Sequence, residues 1–242
     1  MSQSSSTTRR GFLGQAAIGV AAALVATSPA ESQIVWTENQ WKLPDFDPIL
    51  HSKRKVRLVV ECNVIAEGEV LGATRTALNA MHYGFGVPMN EIQVAAALHG
   101  PANLLNYDDF IWEKYKVGEW LNVEDPETGK PAVRNIYFPS KSGLHYTSTD
   151  PNNPCSAEMD ASVQGLQARG VTFLSCHMAT EAQARVLIHR FNLTAKPEEI
   201  VHEMLAHTVP GVIVVPGVVG TVTMLQSVGH FSYLKVIKPN GH

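Results

Sequence analysis

Apolar positions along this chain follow two rhythms, short dense runs and longer stretches with a period near four. Val56-Arg57-Leu58-Val59-Val60-Glu61-Cys62 has the length and β-branched content of a buried strand. From Glu69 to Tyr83, Val70, Thr74, Leu78 and Met81 stand at helical spacing, and Gly84 and Gly86 end the pattern. Ile92, Val94, Ala96 and Leu98 alternate through Glu91 to His99, which predicts a second strand stopped by Gly100-Pro101. Glu158 to Arg169 reads as a helix closed by Gly170, a residue favoured just past a helix end. Val171 to Cys176 is a third strand, followed by helices over Thr180 to Arg190 and Pro197 to His207. Val212 to Val215 is a fourth strand, Val218 to Ser227 a short helix, and Tyr233 to Ile237 a fifth strand. Strands and helices alternate, which predicts an α/β fold: three layers, α/β/α, around a mainly parallel five-stranded sheet.

Two segments lack either rhythm. Residues 31–55, with Trp36, Trp41, Pro44 and Pro48, read as an irregular arm that packs on the domain or on a neighbour. Asn106 to Pro154 carries Trp112, Tyr115, Trp120, Tyr137 and Tyr146 among turn-forming stretches such as Asp125-Pro126-Glu127-Thr128-Gly129-Lys130. It reads as an insertion, either at the ligand edge of the sheet or at a subunit contact, or as a helical turn plus a hairpin without a role.

The first thirty residues stand apart. Thr8-Arg9-Arg10-Gly11-Phe12-Leu13, a mild apolar run from Ala16 to Ala26, and Ser28-Pro29-Ala30 resemble a twin-arginine export signal. The run is too short and too rich in Ala and Gly to fill a bilayer core of ~20 residues. Residues 1–30 are therefore expected to be a leader, 31–55 the arm, and 56–242 one domain. That implies a periplasmic protein with no membrane attachment once the leader is removed. Of 242 residues, 45% are hydrophobic and 17% charged, and the formal net charge is −3. This balance argues against a nucleic-acid binder, which would show a basic stripe. Three cysteines are too few for a disulfide scaffold, and an odd number leaves at least one unpaired within the chain.

In an open parallel sheet, ligands bind beyond the carboxyl ends of the strands. Cys62, His99 and Cys176 each stand at such an end. Cys176 also precedes a helix, whose amino-terminal amides and dipole favour a thiolate, and the adjacent His177 offers a proton shuttle. The competing reading of each cysteine is a small buried hydrophobe, and Cys62 fits that reading best. Cys155, in a Pro-rich loop, suits neither role well beyond that of a resolving thiol. His202 and His207 are five apart, which turns them to different helix faces and excludes the zinc-protease His-Glu-x-x-His pattern. Gly211 to Gly220 lacks the Lys-Ser/Thr of a P-loop. No cofactor and no resident metal is expected.

Leu166-Gln167-Ala168-Arg169-Gly170-Val171-Thr172-Phe173-Leu174-Ser175-Cys176, with Thr180 four residues on, resembles the signature of the DsrE/DsrF-like superfamily, which includes sulfur-relay proteins. Val209-Pro210-Gly211-Val212, Leu225-Gln226 and Gly229 to Lys235 resemble its ending, and Ala97-Leu98-His99-Gly100-Pro101 its strand-His-Gly segment. The resemblance covers roughly Val56 to Leu105 and Glu158 to Ile237; the insertion and the leader depart from it. It implies a homo-oligomer, trimeric or larger, and a persulfide carrier or sulfurtransferase with Cys176 as the sulfur-bearing residue. His99 and His177 would then be proton partners, with Cys62, Gly100 and Thr180 lining the substrate site and a donor or acceptor protein as partner. A ligand-binding module without turnover and a Cys62–Cys176 thiol-disulfide switch are the alternatives.

Overall fold

A computed structural model of the chain describes residues 35–139 and 141–237. The leader expected at 1–30 lies outside the described residues. The arm does not remain irregular: Leu43–Leu50 forms a helix, α1, and buries Phe46, Ile49 and Leu50. These three stand at i, i+3 and i+4 and so share a face, but two turns that include Pro44 and Pro48 are too short to show a period in sequence. Strand β1 (Val56–Cys62), helix α2 (Glu69–Asn79) and strand β2 (Ile92–Leu98) follow where the pattern predicts them.

The segment after β2 has structure of its own. A 3-10 run over Gly100–Asn106 leads into two short helices, α3 (Asp109–Lys114) and α4 (Val117–Leu121). Two-residue strands β3 (Glu124–Asp125) and β4 (Lys130–Pro131) then pair as an antiparallel hairpin. Helix α5 (Val163–Ala168) begins later than Glu158, because the Ser162 hydroxyl caps it by accepting from the Gly165 amide at 3.0 Å. Strand β5 (Val171–Cys176) passes directly into α6 (His177–Phe191), three residues earlier than the sequence suggests. Helix α7 (Pro197–Ala206), strand β6 (Ile213–Val215), helix α8 (Val218–Ser227) and strand β7 (Ser232–Val236) complete the chain.

The sheet is parallel throughout, in the order β6-β5-β2-β1-β7. Alternation along each strand sorts side chains to two faces. Val60, Cys62, Val94, Ala96, Leu98 and Phe173 belong to one apolar core, which also contains buried residues of α2, α5, α6 and α7. Val59, Ala95, Ala97, Leu174 and Cys176 belong to the other, with Phe46 and Ile49 of α1 and Val222 and Leu225 of α8. The fold is therefore three-layered, α/β/α. The small side chains of Ala95 and Ala97 on the central strand leave room for α8 to approach the sheet closely.

The insertion is fastened to the first core by paired polar groups. Trp112 is fully buried and its indole N–H donates to the Leu104 carbonyl at 3.0 Å. Asn135, also buried, donates to the carbonyls of Leu105 (3.0 Å) and Tyr107 (2.7 Å). Arg134 grips Asp125 through two bonds, 2.7 and 3.1 Å long. Helix α4 lies so close to the segment after β4 that a Cβ on Gly118 would run into the backbone nitrogen and oxygen of Ala132. Gly118→Ala should therefore destabilise the protein by about 1–3 kcal/mol, the usual cost of overpacking. Urea unfolding checks this: the midpoint should fall while the slope stays unchanged.

Candidate functional site

Cys176 ends β5 and is itself the residue that caps α6. A parallel strand running straight into a helix places its last side chain at the helix amino terminus, a position usually held by Ser, Thr or Asp. The Cys176 sulfur accepts from the Ala179 amide at 3.4 Å and from the Val218 amide at 3.4 Å. Val218 is the first residue of α8, so the amino ends of two helices, of fifteen and ten residues, meet on one sulfur atom. A neutral thiol is a weak acceptor, whereas a sulfur anion is a strong one. Both amides and both helix dipoles therefore favour negative charge at this atom.

Cys176 is 5% exposed and lines a cleft of about 550 Å³. His99 and Gly100, just beyond β2, line the same cleft, together with one stripe of α6 (Ala179, Ala182, Gln183 and Val186). Gly100 makes the turn after the strand at φ +51°, and an added Cβ would lie 3.0 Å from the Asn63 carbonyl oxygen. The insertion contributes Trp120, on α4, to the wall. The insertion thus reaches the cleft at the carboxyl ends of the strands.

A second group of side chains stands behind His99. Glu61 faces the side of the sheet that Val59 faces, where the register sets it opposite Ala97 on β2 and Lys235 on β7. It is 7% exposed and holds three partners: His99 Nε2 at 2.9 Å, Lys235 Nζ at 3.5 Å and the Tyr233 hydroxyl, which donates to its other oxygen. Burial pushes the Glu61 carboxyl up, but the hydrogen bonds from Tyr233 and His99 and the Lys235 charge outweigh it, and the group lies below the usual carboxylate range. Its bond to Glu61, with burial, pushes the Tyr233 phenol up to about 12. An ionised carboxylate only accepts, so His99 Nε2 carries the proton of that bond and Nδ1 is the ring's acceptor when neutral.

Beneath the cleft lies a buried polar network centred on Asn103, which is 0% exposed. Its side-chain oxygen accepts from the Cys176 amide and the Ser175 hydroxyl, both at 2.9 Å. Its nitrogen lies 3.1 Å from the Tyr107 hydroxyl oxygen and 3.3 Å from Gln183 Oε1. Gln183 in turn donates to the Gly100 carbonyl at 2.8 Å. Burial, the largest influence, pushes the Tyr107 phenol up to about 12.

Of the six residues singled out in the sequence, Cys176, His99 and Gly100 line one cleft. Thr180 supports it from below, donating to the Cys176 carbonyl at 3.1 Å and sharing a 2.6 Å hydrogen bond with Tyr107. His177 is not brought to the cleft: it is 2% exposed and stacks on Trp36, ring centroids 3.6 Å apart, with Glu181 at 3.7 Å. Cys62 is not brought there either. It is fully buried in the opposite core, its thiol donates to the Val64 carbonyl at 3.0 Å, and burial pushes that thiol up. Cys62 and Cys176 thus face opposite sides of a sheet with β2 between their strands. Two strand spacings of ~4.8 Å already exceed the ~7 Å limit on Cα separation in a disulfide, so the fold does not bring a Cys62–Cys176 pair within bonding reach. Sequence reading missed Glu61, Tyr233, Lys235 and Asn103. A charged residue inside an apolar strand, as in Val59-Val60-Glu61-Cys62, is the signal that could have found the first.

The chain matches none of the protein-family models, curated proteins or solved structures compared with it.

Two measurements test this description. Because the folded-state value of Glu61 lies below its unfolded one, the unfolded chain binds more protons in acid. The contribution is thus complete above the usual carboxylate range and is lost as pH falls through the folded value. Glu61→Gln should flatten the acid limb of a pH–stability curve recorded by thermal unfolding. Asn103→Leu leaves the Cys176 amide without its acceptor and should cost about 1–3 kcal/mol, measured by denaturant unfolding.

Proposed function

We propose that this chain is an exported, homo-oligomeric DsrE/DsrF-like protein in which Cys176 carries sulfane sulfur as a persulfide. The observation that supports this reading best is the pair of helix amino termini that donate to one sulfur atom beside an open cleft. A persulfide carrier needs a nucleophilic thiolate, and it must then hold a terminal sulfur anion. Amides and dipoles aimed at Cys176 suit both states.

The chemistry has two steps. The Cys176 thiolate attacks a sulfane sulfur, a new S–S bond forms to Sγ, and the donor's S–S bond breaks with the electron pair leaving on the former partner. An acceptor thiolate then attacks the outer sulfur of the persulfide and Cys176 leaves as thiolate. His99 is the proton partner in this reading, giving a proton to the departing group and taking one from the incoming thiol. Glu61, with Tyr233 and Lys235, positions its ring and does not touch the reacting atoms. His177, stacked on Trp36, has no part in the exchange. Export would place the protein in an oxidising compartment, where a thiol held away from Cys62 escapes oxidation to that pair.

Reduced protein treated with a mixture of inorganic polysulfide and an organic polysulfide should gain cyanide-releasable sulfur. Cys176→Ser should abolish the gain; Cys62→Ser and Cys155→Ser should retain it. Intact mass and thiocyanate release are the readouts. Sulfur mapped to Cys155 alone, or no sulfur on a folded protein, defeats the reading.

A further inference from the structure

The walls of the Cys176 cleft carry no Asp, Glu, Lys or Arg side chain among the described residues. Its two polar side chains of note are already engaged, His99 with Glu61 and Gln183 with Gly100 and Asn103. The remaining surface is apolar, and Met178, Val186 and Val219 carry it outward as exposed side chains around the mouth. An oxyanion such as thiosulfate entering here would give up water without meeting a Lys or Arg, and any positive charge on His99 is already paired with Glu61; burying an unpaired charge is strongly unfavourable. The Ala179 and Val218 amides already point at Sγ, where they favour a first negative charge. A second anion drawn up to that sulfur would meet repulsion in a low-dielectric cleft. A neutral apolar molecule meets neither obstacle, and burying its surface stabilises the complex by about 25 cal/mol per Å².

We infer that the donor taken by this cleft is an uncharged, lipophilic sulfane-sulfur compound, of the dialkyl polysulfide class, and not a sulfur oxyanion. The inference rests on the reading of Cys176 as a sulfur carrier and adds the chemical class of its donor. With a dialkyl trisulfide the step balances without an outside oxidant or reductant. The Cys176 thiolate attacks the central sulfur, a bond forms between Sγ and that sulfur, and the bond from the central to one outer sulfur breaks. One alkylthiolate leaves, and Cys176 holds a mixed trisulfide. Attack by an added thiolate on the alkyl-bearing sulfur then releases a mixed disulfide and leaves the Cys176 persulfide.

The experiment compares diallyl trisulfide with thiosulfate as donors to the reduced full chain, read as the rate at which Cys176 gains cyanide-releasable sulfur. The trisulfide should load at least tenfold faster. Ala182→Lys, which sets a cation on the exposed stripe of α6 at the cleft, should narrow that ratio several-fold, by slowing the trisulfide and speeding thiosulfate. Thiosulfate loading as fast as the trisulfide, or an unchanged ratio in Ala182→Lys, overturns the inference. If neither donor loads Cys176, the carrier reading fails, and binding to the Cys176→Ser protein decides the rest. Saturable binding of the uncharged dye Nile red, competed by diallyl sulfide but not by thiosulfate, supports the ligand class. Absence of binding overturns it.

Discussion

The side-chain amide of Asn103 lies where no water reaches it, and an amide so placed must find protein partners for both of its ends. Its oxygen holds the Cys176 amide and the Ser175 hydroxyl, and its nitrogen meets Tyr107 and Gln183. This ties the turn after β2 to the end of β5 and to the first turns of α6. Two regions distant in sequence, the turn after β2 and the β5–α6 junction, are thereby locked at the point where the cleft has its floor. The position of the Cys176 sulfur follows from that lock, because a residue fixed at its own amide and capping a helix has little freedom left at Cα. The second helix amino terminus, that of α8, arrives from the opposite layer of the fold and completes the polar surroundings of the sulfur.

Much of this architecture was legible in the chain. Five strands and the alternation of helices between them follow from runs such as Val56 to Cys62 and from the glycines that close helices. Such signals are local, since a buried parallel strand must be apolar over its length. The placing of Cys176 and His99 at strand ends was equally local. What escaped had two physical causes. The helix over Leu43–Leu50 is held by burial of three side chains against the sheet, an interaction between layers that leaves a weak trace in eight residues. Glu61, Tyr233 and Lys235 form one group only because β7 returns to lie beside β1, and strand order is not written in either strand.

Parity decided the fate of the candidate residues more sharply than proximity in sequence. Cys176 and His177 are neighbours, yet one caps a helix into the cleft and the other turns under Trp36. Cys62 and Glu61 are also neighbours, on opposite faces of one strand, so that the carboxylate serves His99 while the thiol is buried in the far core. A register change of one residue in β5 would exchange Ser175 and Cys176 between the two faces. The network around Asn103, which grips both residues, works against such a slip.

Trp120 belongs to a segment with its own fastenings, whereas the floor below it is built from the sheet and the turn after β2. Floor and wall of the cleft thus come from two segments joined through the carbonyls of Leu104, Leu105 and Tyr107. The Trp120 side chain makes none of the hydrogen bonds that hold the sulfur, so its size can change at the wall, whereas a change at Gly118, Trp112 or Asn135 would be felt in the floor. Selection among ligands is therefore open to revision by small steps, while the chemistry stays anchored in the part of the fold least free to move.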